Sequence, residues 1–277
     1  MFEYNDYNED TLKHLQNLQL SILKDFAKIC EENNLTYFAY GGTAIGAIRH
    51  KGFIPWDDDV DVIMFRDDYE KFLRIMESRN DSKYYLVNME NTEDYFFYFS
   101  KLCLKGTNLK EDWTRKTSFD IGINIDIFIL DYMPDNAMKR KIFLKASKLF
   151  SSGLAVFLVN LNKNYPSTFK KIIAKTMEGV LKILRIDSNK YKKLLKRFTT
   201  RYQNTNYAYD VVALLYQTPF HKDILLPPKE VPFEDTTINV PNDYDQFLTM
   251  IYGDYMKIPP VEERYNHVHE GIDFGDY

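Results

Sequence analysis

A chain of 277 residues that is 45% apolar, 27% charged and 16% aromatic can build one sizeable core, which excludes a disordered segment or a bare linker. Its two cysteines, Cys30 and Cys103, form no closely spaced framework; this excludes a disulfide-stapled fold and a cysteine zinc site, and a reducing, cytoplasmic setting is expected. The net charge of −4 conceals a polarised sequence, because residues 138–203 hold 17 Lys or Arg against two acids, a net +15 that leaves −19 for the remainder.

The N-terminal "MFEYNDYNEDTLKHL" lacks a basic start followed by an apolar stretch, so no secretory signal is expected. Leu12, Leu15, Leu18, Ile22, Phe26 and Ile29 recur at helical steps and predict an amphipathic helix of about six turns, with Asp10 and Thr11 placed to cap it. "LTYFAY" predicts a short buried strand running into Gly41 and Gly42, and "AIGAIR" a short helix beside them. After the loop "HKGFIPW", "DVDVIMF" predicts a second strand and "DDYEKFLRIMESR" a helix capped by Asp67. Three more strands are predicted in "YYLVNM", "YFFYFSKLCLK" and "IGINIDIFIL". The chain then turns helical and basic to about residue 203, before strand-like "YDVVALLY", a Pro-bounded loop and a helix at "YDQFLTMIYG". The longest uncharged apolar run, Leu149 to Asn162, falls short of the roughly 20 residues a spanning helix needs, so no transmembrane segment is expected. The expected units are a catalytic core at 1–134, a helical basic segment at 135–205 and a C-terminal segment at 206–277 that returns to the core.

Side chains alternate along a strand, so Asp57, Asp59 and Asp61 are expected on one side of "WDDDVDVIMF" and Val60, Val62 and Met64 on the other. Asp58 then points away as a bystander. "INIDIFIL" repeats the pattern, with Ile123, Ile125 and Ile127 on one face and Asn124 and Asp126 on the opposite one. Clustered carboxylates repel, and a hard cation that takes oxygen ligands, Mg²⁺ or else Mn²⁺, relieves the repulsion and is shared with substrate phosphates. Asp57, Asp59, Asp61 and Asp126 are therefore candidate metal ligands, with Asp59, Asp61 and Asp126 the candidate catalytic residues. Taken alone, such an acidic turn is equally well a solvated cap. The third acid and the glycine pair weigh against that alternative.

Gly41 and Gly42 lie between a strand and a helix, where the backbone can approach a phosphate and offer amide donors, and Thr43 adds a hydroxyl. Neither GxxxxGK[ST] nor GxGxxG is present, which leaves P-loop and Rossmann readings unsupported. Arg49 and Lys51 complete the candidate phosphate-contacting set, Arg49 being preferred because a guanidinium binds two oxygens. His50 is expected to be structural and Trp56 to pack.

The runs "YGGTAIGAIRHKGFIPWDDDVDVIMFRDDYEKF", "NIDIFILDYMP" and "YGDYMKIPPVEER" resemble the LicD-type phosphocholine transferases, relatives of the fukutin-type sugar-phosphate transferases. The resemblance covers residues 36–72, 121–134 and 240–269. It implies an α/β (α+β) nucleotidyltransferase-like mixed sheet with a helical basic insertion, in which Gly41, Gly42, Asp59, Asp61 and Asp126 hold Mg²⁺. It further implies transfer of phosphocholine, or a similar phospho-alcohol, from CDP-choline or another CDP-alcohol to a hydroxyl of a glycan or teichoic acid precursor; Asp126 is then the candidate base, or else purely a metal ligand. Ile129 departs from the pattern, where the family usually has a Pro between Phe and Leu. Two rivals stand beside this expectation: a nucleotidyltransferase that releases pyrophosphate, and a non-catalytic glycan-binding module, against which the clustered acids argue.

Lys171, Lys175, Lys182 and Arg185 line one side of "KIIAKTMEGVLKILRI", and Ile172, Ile173, Met177, Val180, Leu181 and Leu184 the other. Such a helix packs on a core, docks a polymer or lipid-linked acceptor, or lies on an anionic membrane from the cytoplasmic side; no nucleic acid partner is expected. In the tail, His267 and His269 have no Cys/His partners elsewhere, so zinc is not expected. By likeness to the family, Tyr255, Arg264 and His267 are candidate substrate contacts. With 21 Tyr and 20 Phe, no aromatic set stands out as a box for a quaternary ammonium.

Overall fold

The computed structural model describes residues 8–79, 83–111, 119–162, 168–210, 218–264, 266 and 269–277. Helix α1 (Glu9–Glu32) is capped by Asn8, whose side chain accepts from the Asp10 amide at 3.0 Å, so the cap lies upstream of the expected Asp10 and Thr11. Strand β1 (Tyr37–Ala39) leads into α2 (Gly41–Arg49), whose first residues are the glycines themselves. Strand β2 (Asp61–Phe65) then runs into α3 (Arg66–Ser78), where Phe65 occupies the cap position and Asp67 lies in the first turn instead of capping it.

Strands β3 (Tyr84–Val87), β4 (Ser100–Leu104), β5 (Asn108–Glu111) and β6 (Asn124–Met133) follow. Only the second half of "YFFYFSKLCLK" is strand; before β4 begins, Tyr95, Phe97 and Phe99 pack their rings on one another while Phe96 stacks on Phe157 of the basic segment. Helices α4 (Ala137–Asn162), α5 (Thr168–Ile183) and α6 (Ser188–Thr199) form the basic segment. Strands β7 (Tyr207–Asp210) and β8 (Phe220–His221) and the short α7 (Lys222–Leu225) precede β9 (Lys229–Phe233) and β10 (Thr236–Val240), and α8 (Tyr244–Tyr252) and β11 (His269–Asp273) complete the chain. Most of "YDVVALLY" falls at 211–217, outside the described residues. The segment expected as a Pro-bounded loop contains a hairpin, β9–β10, turned at Glu234 with φ +53.

The fold is α+β. Its main sheet runs β1-β2-β6-β4-β3, with β7 and β8 added beyond β6. Strands β2 and β6 are parallel and the other pairs in this sheet antiparallel. One continuous core links Leu15 and Phe26 of α1 to Ile125 and Ile127 of β6, to Leu195 and Phe198 of α6 and to Phe247 of α8. All three expected segments contribute to it.

Candidate active site

Asp61 opens β2 and lies directly opposite Asp126 in the parallel register with β6. Alternation shows from Ile125 to Phe128 of β6, where Ile125 and Ile127 are buried while Asp126 and Phe128 are partly exposed; Asn124 and the residues from Ile129 onward are buried on both faces. The remaining acids obey a different geometry. Asp57 and Asp59 precede the strand, in a loop that α1 grips: Gln16 Nε2 donates to the Asp57 carbonyl at 2.9 Å and Gln19 Nε2 to that of Asp58 at 2.8 Å. Freed from alternation, Asp57, Asp58 and Asp59 bring carboxylate oxygens within 4.8 Å of one another. Asp58, expected as a bystander, is thus part of this cluster and is buried.

The glycines are required by these carboxylates. A Cβ on Gly41, which has φ +54, would overlap Asp61 Oδ2, and a Cβ on Gly42 would overlap Asp57 Oδ2. Thr43 is buried, and its Oγ1 accepts from the Asp61 amide at 2.8 Å, pinning the strand where it starts. The Gly-Gly-Thr turn therefore shapes the acidic face.

Lys101 is the residue that sequence reasoning missed. It pairs with Asp126 in the β4–β6 register, and its Nζ lies 2.8 and 3.1 Å from the two Asp126 oxygens and 3.2 Å from Asn124 Oδ1. The signal was present: a lysine inside an apolar strand is rarely buried unless a carboxylate meets it. Beside this pair runs an aromatic group, with Phe128 stacked on Phe99 at 4.6 Å, Tyr40 tilted against Phe128 at 5.1 Å, and the Lys101 ammonium 5.6 Å from the Phe99 ring centre. Tyr40 donates to Asp210 at 2.9 Å, and burial together with the Asp210 and Asp61 carboxylates pushes its phenol well above the usual range. Phe99, Phe97, Tyr98 and Ile129 also line a cavity of about 490 Å³ whose outer wall is α6.

Arg49 is committed to the C-terminal segment. Its Nη1 donates to the Tyr255 and Lys257 carbonyls at 2.8 and 3.2 Å, and its Nε donates to His50 Nε2 at 2.9 Å. Burial lowers the Arg49 pKa, and the nearby Asp57 carboxylate opposes that shift. Lys51 is exposed at φ +60, and its carbonyl accepts from the Glu234 amide at 2.8 Å. From the same hairpin, Glu234 Oε1 accepts from the Phe53 amide at 3.0 Å. Of the tail residues, Tyr255 is buried with its hydroxyl on Asp245 at 2.7 Å, Arg264 stacks over Trp56 at 4.0 Å, and His267 lies outside the described residues.

The donor set is one of carboxylate oxygens, three clustered in a loop and two on neighbouring strands, backed by glycines whose missing side chains leave the carboxylates room. That chemistry fits Mg²⁺ or Mn²⁺ and not a soft metal.

The family described as LicD/FKTN/FKRP, nucleotidyltransferase domain, matches residues 34–152, which hold both glycines and all five acids. The lipopolysaccharide cholinephosphotransferase LicD of Haemophilus influenzae is 31% identical over 264 residues, spanning 93% of this chain and 96% of that protein. Uncharacterized proteins of Rickettsia typhi and Rickettsia prowazekii are 31% and 27% identical, each over 55% of this chain and over 47% and 55% of their own lengths.

Proposed function

The chain belongs to the LicD family, and from that premise we propose that it moves phosphocholine, or a phospho-alcohol of the same kind, from a CDP-linked donor to a hydroxyl of a cell-surface glycan or teichoic acid precursor. The observation that carries this reading is the Asp61–Asp126 pairing, closed by the glycine cradle, in a chain similar over 93% of its length to a lipopolysaccharide cholinephosphotransferase.

Asp59, Asp61 and Asp126, with Asp57 beside them, would hold Mg²⁺ or Mn²⁺. When bound, the cation supplies neutralisation of the donor diphosphate. The acceptor hydroxyl approaches the phosphorus that bears the alcohol, its oxygen forms the new P–O bond, and CMP leaves with the electrons of the broken one. Asp126 accepts the hydroxyl proton, and Lys101, bonded to both of its oxygens, fixes the direction in which that carboxylate points. Phe128, partly exposed two residues beyond Asp126 on the same side of β6, offers apolar contact to the choline methyl groups.

CMP release from CDP-choline in the presence of Mg²⁺ and lipopolysaccharide tests the proposal. Asp61→Asn and Asp126→Asn should each lower turnover by at least about a hundredfold, and unchanged turnover in either variant rejects the assignment. The nucleotidyltransferase reading, favoured by the wording of the family description, predicts pyrophosphate release from CTP instead. A melting panel of CDP-choline, CDP-ribitol, CDP-glycerol and CTP with Mg²⁺ separates the donors.

A further inference from the structure

Among the described residues, the basic segment carries several of the most exposed large apolar side chains. Met138, Ile142 and Leu149 on α4 are 74%, 64% and 64% exposed, and Ile172, Ile183 and Leu184 on α5 and just beyond it are 59%, 82% and 60% exposed. Their spacing is not random. At 100° per residue, Met138, Ile142 and Leu149 fall within about 40° of one another around α4. Exposed Lys141, Lys145 and Lys148 lie along one side of that stripe. Helix α5 repeats the arrangement, with Ile172 and Ile183 in register and exposed Lys175 and Lys182 on the corresponding side. A Cβ built on Gly179, between these residues, meets nothing within 4 Å.

Two helices in contact with each other thus carry the same pattern, an aliphatic stripe beside a rail of lysines. Their inward faces are already used, since Phe143, Leu154 and Leu181 belong to the core. The outward stripes are therefore not needed to hold the fold. A second copy of this chain is a poor occupant, because two surfaces from a segment of net +15 repel. Nucleic acid supplies the charge but no apolar layer to receive isoleucines. An anionic bilayer supplies both, acyl chains for the stripe and head-group phosphates for the lysines.

We propose that the outward faces of α4 and α5 form a surface that docks on an anionic lipid bilayer, the aliphatic stripes entering the interfacial layer and the lysine rails contacting head groups. The surface needs neither donor nor turnover, so it stands or falls apart from the transfer reading.

The test is flotation of the full chain with vesicles of phosphatidylcholine alone and of phosphatidylcholine with about 30% phosphatidylglycerol. Binding to the anionic vesicles should exceed binding to the neutral ones by at least about tenfold at low salt and fall steeply by about 0.5 M salt. Ile142→Asp with Ile183→Asp should abolish most of it, as should Lys145→Glu with Lys182→Glu, while circular dichroism and melting temperature stay those of the parent. Equal binding to both vesicles overturns the proposal, as does no binding to either. Retention of binding in both double variants, or concentration-dependent self-association lost in the Ile variants, overturns it as well.

Discussion

Replacing Gly41 with alanine probes the cradle at its tightest point. The substitution has two separable costs. The backbone at φ +54 must be held by a residue with a Cβ, which costs about 1–2 kcal/mol of stability. The new Cβ also overlaps Asp61 Oδ2, so that oxygen must retreat by about 1 Å to reach ordinary van der Waals contact. A displacement of about 1 Å at a reacting centre costs about a hundredfold in rate. The expected result is a folded protein, destabilised by about 1–2 kcal/mol in urea, whose CMP release falls by about two orders of magnitude. Gly42→Ala displaces Asp57 in the same way, and its effect on turnover relative to that of Gly41→Ala ranks the two carboxylates. Gly179→Ala, where the added carbon meets nothing, serves as control. Turnover of Gly41→Ala within threefold of the parent would refute the argument that these glycines exist to admit the carboxylates.

Three further outcomes follow from individual contacts. Lys101→Met frees the Asp126 carboxylate from its ammonium, so the Mg²⁺ concentration giving half of the melting shift should drop by about tenfold while turnover falls; an unchanged Mg²⁺ titration would place Asp126 away from the cation. Arg66 and Asp131 form a buried pair at 2.7 Å, 8% and 1% exposed, so Arg66→Ala should cost about 3–5 kcal/mol in urea unfolding and Arg66→Met with Asp131→Leu much less; equal losses would deny the uncompensated charge as the cause. Burial and Arg49 lower the His50 pKa, so the unfolded chain takes up a proton near the ordinary histidine value of about 6.5 while the folded chain resists it. This contribution to stability is complete above that pH and is lost as pH falls through and below it, and His50→Gln should flatten the difference in urea midpoint between pH 7.5 and pH 5.5.

Local patterns carried well from sequence to structure, and contacts between distant segments did not. The "INIDIF" alternation anticipates the burial of Ile125 and Ile127 against Asp126, since period-two patterning is a property of a strand's own sequence, but not that of Asn124, which lies under Lys101. The same logic misjudged "WDDD", because β2 begins only at Asp61 and two glutamines of α1 hold the preceding carbonyls. Those glutamines sit within a helix whose apolar stripe hides their role, and Gln19 is 2% exposed. Lys101 meets Asp126 only through a β4–β6 register that neither segment states alone. The β9–β10 hairpin escaped notice because its turn uses Glu234 at positive φ in place of an Asn-Gly or Gly signal, with Pro232 inside a strand. Arg49, expected to face phosphate, also ties α2 to the carbonyls of Tyr255 and Lys257, contacts between positions more than 200 residues apart that local patterning cannot state.

The grip of Glu234 on the Phe53 amide joins positions 181 residues apart, and it holds the segment that leads directly into the acids. During synthesis the acidic loop therefore emerges long before its clasp does. A nascent chain that has released β1 to β6 displays clustered carboxylates without the hairpin that steadies the approach to them. A ribosome stalled before residue 234 would therefore present the acids with α1's glutamines in place but the Phe53 amide unclasped.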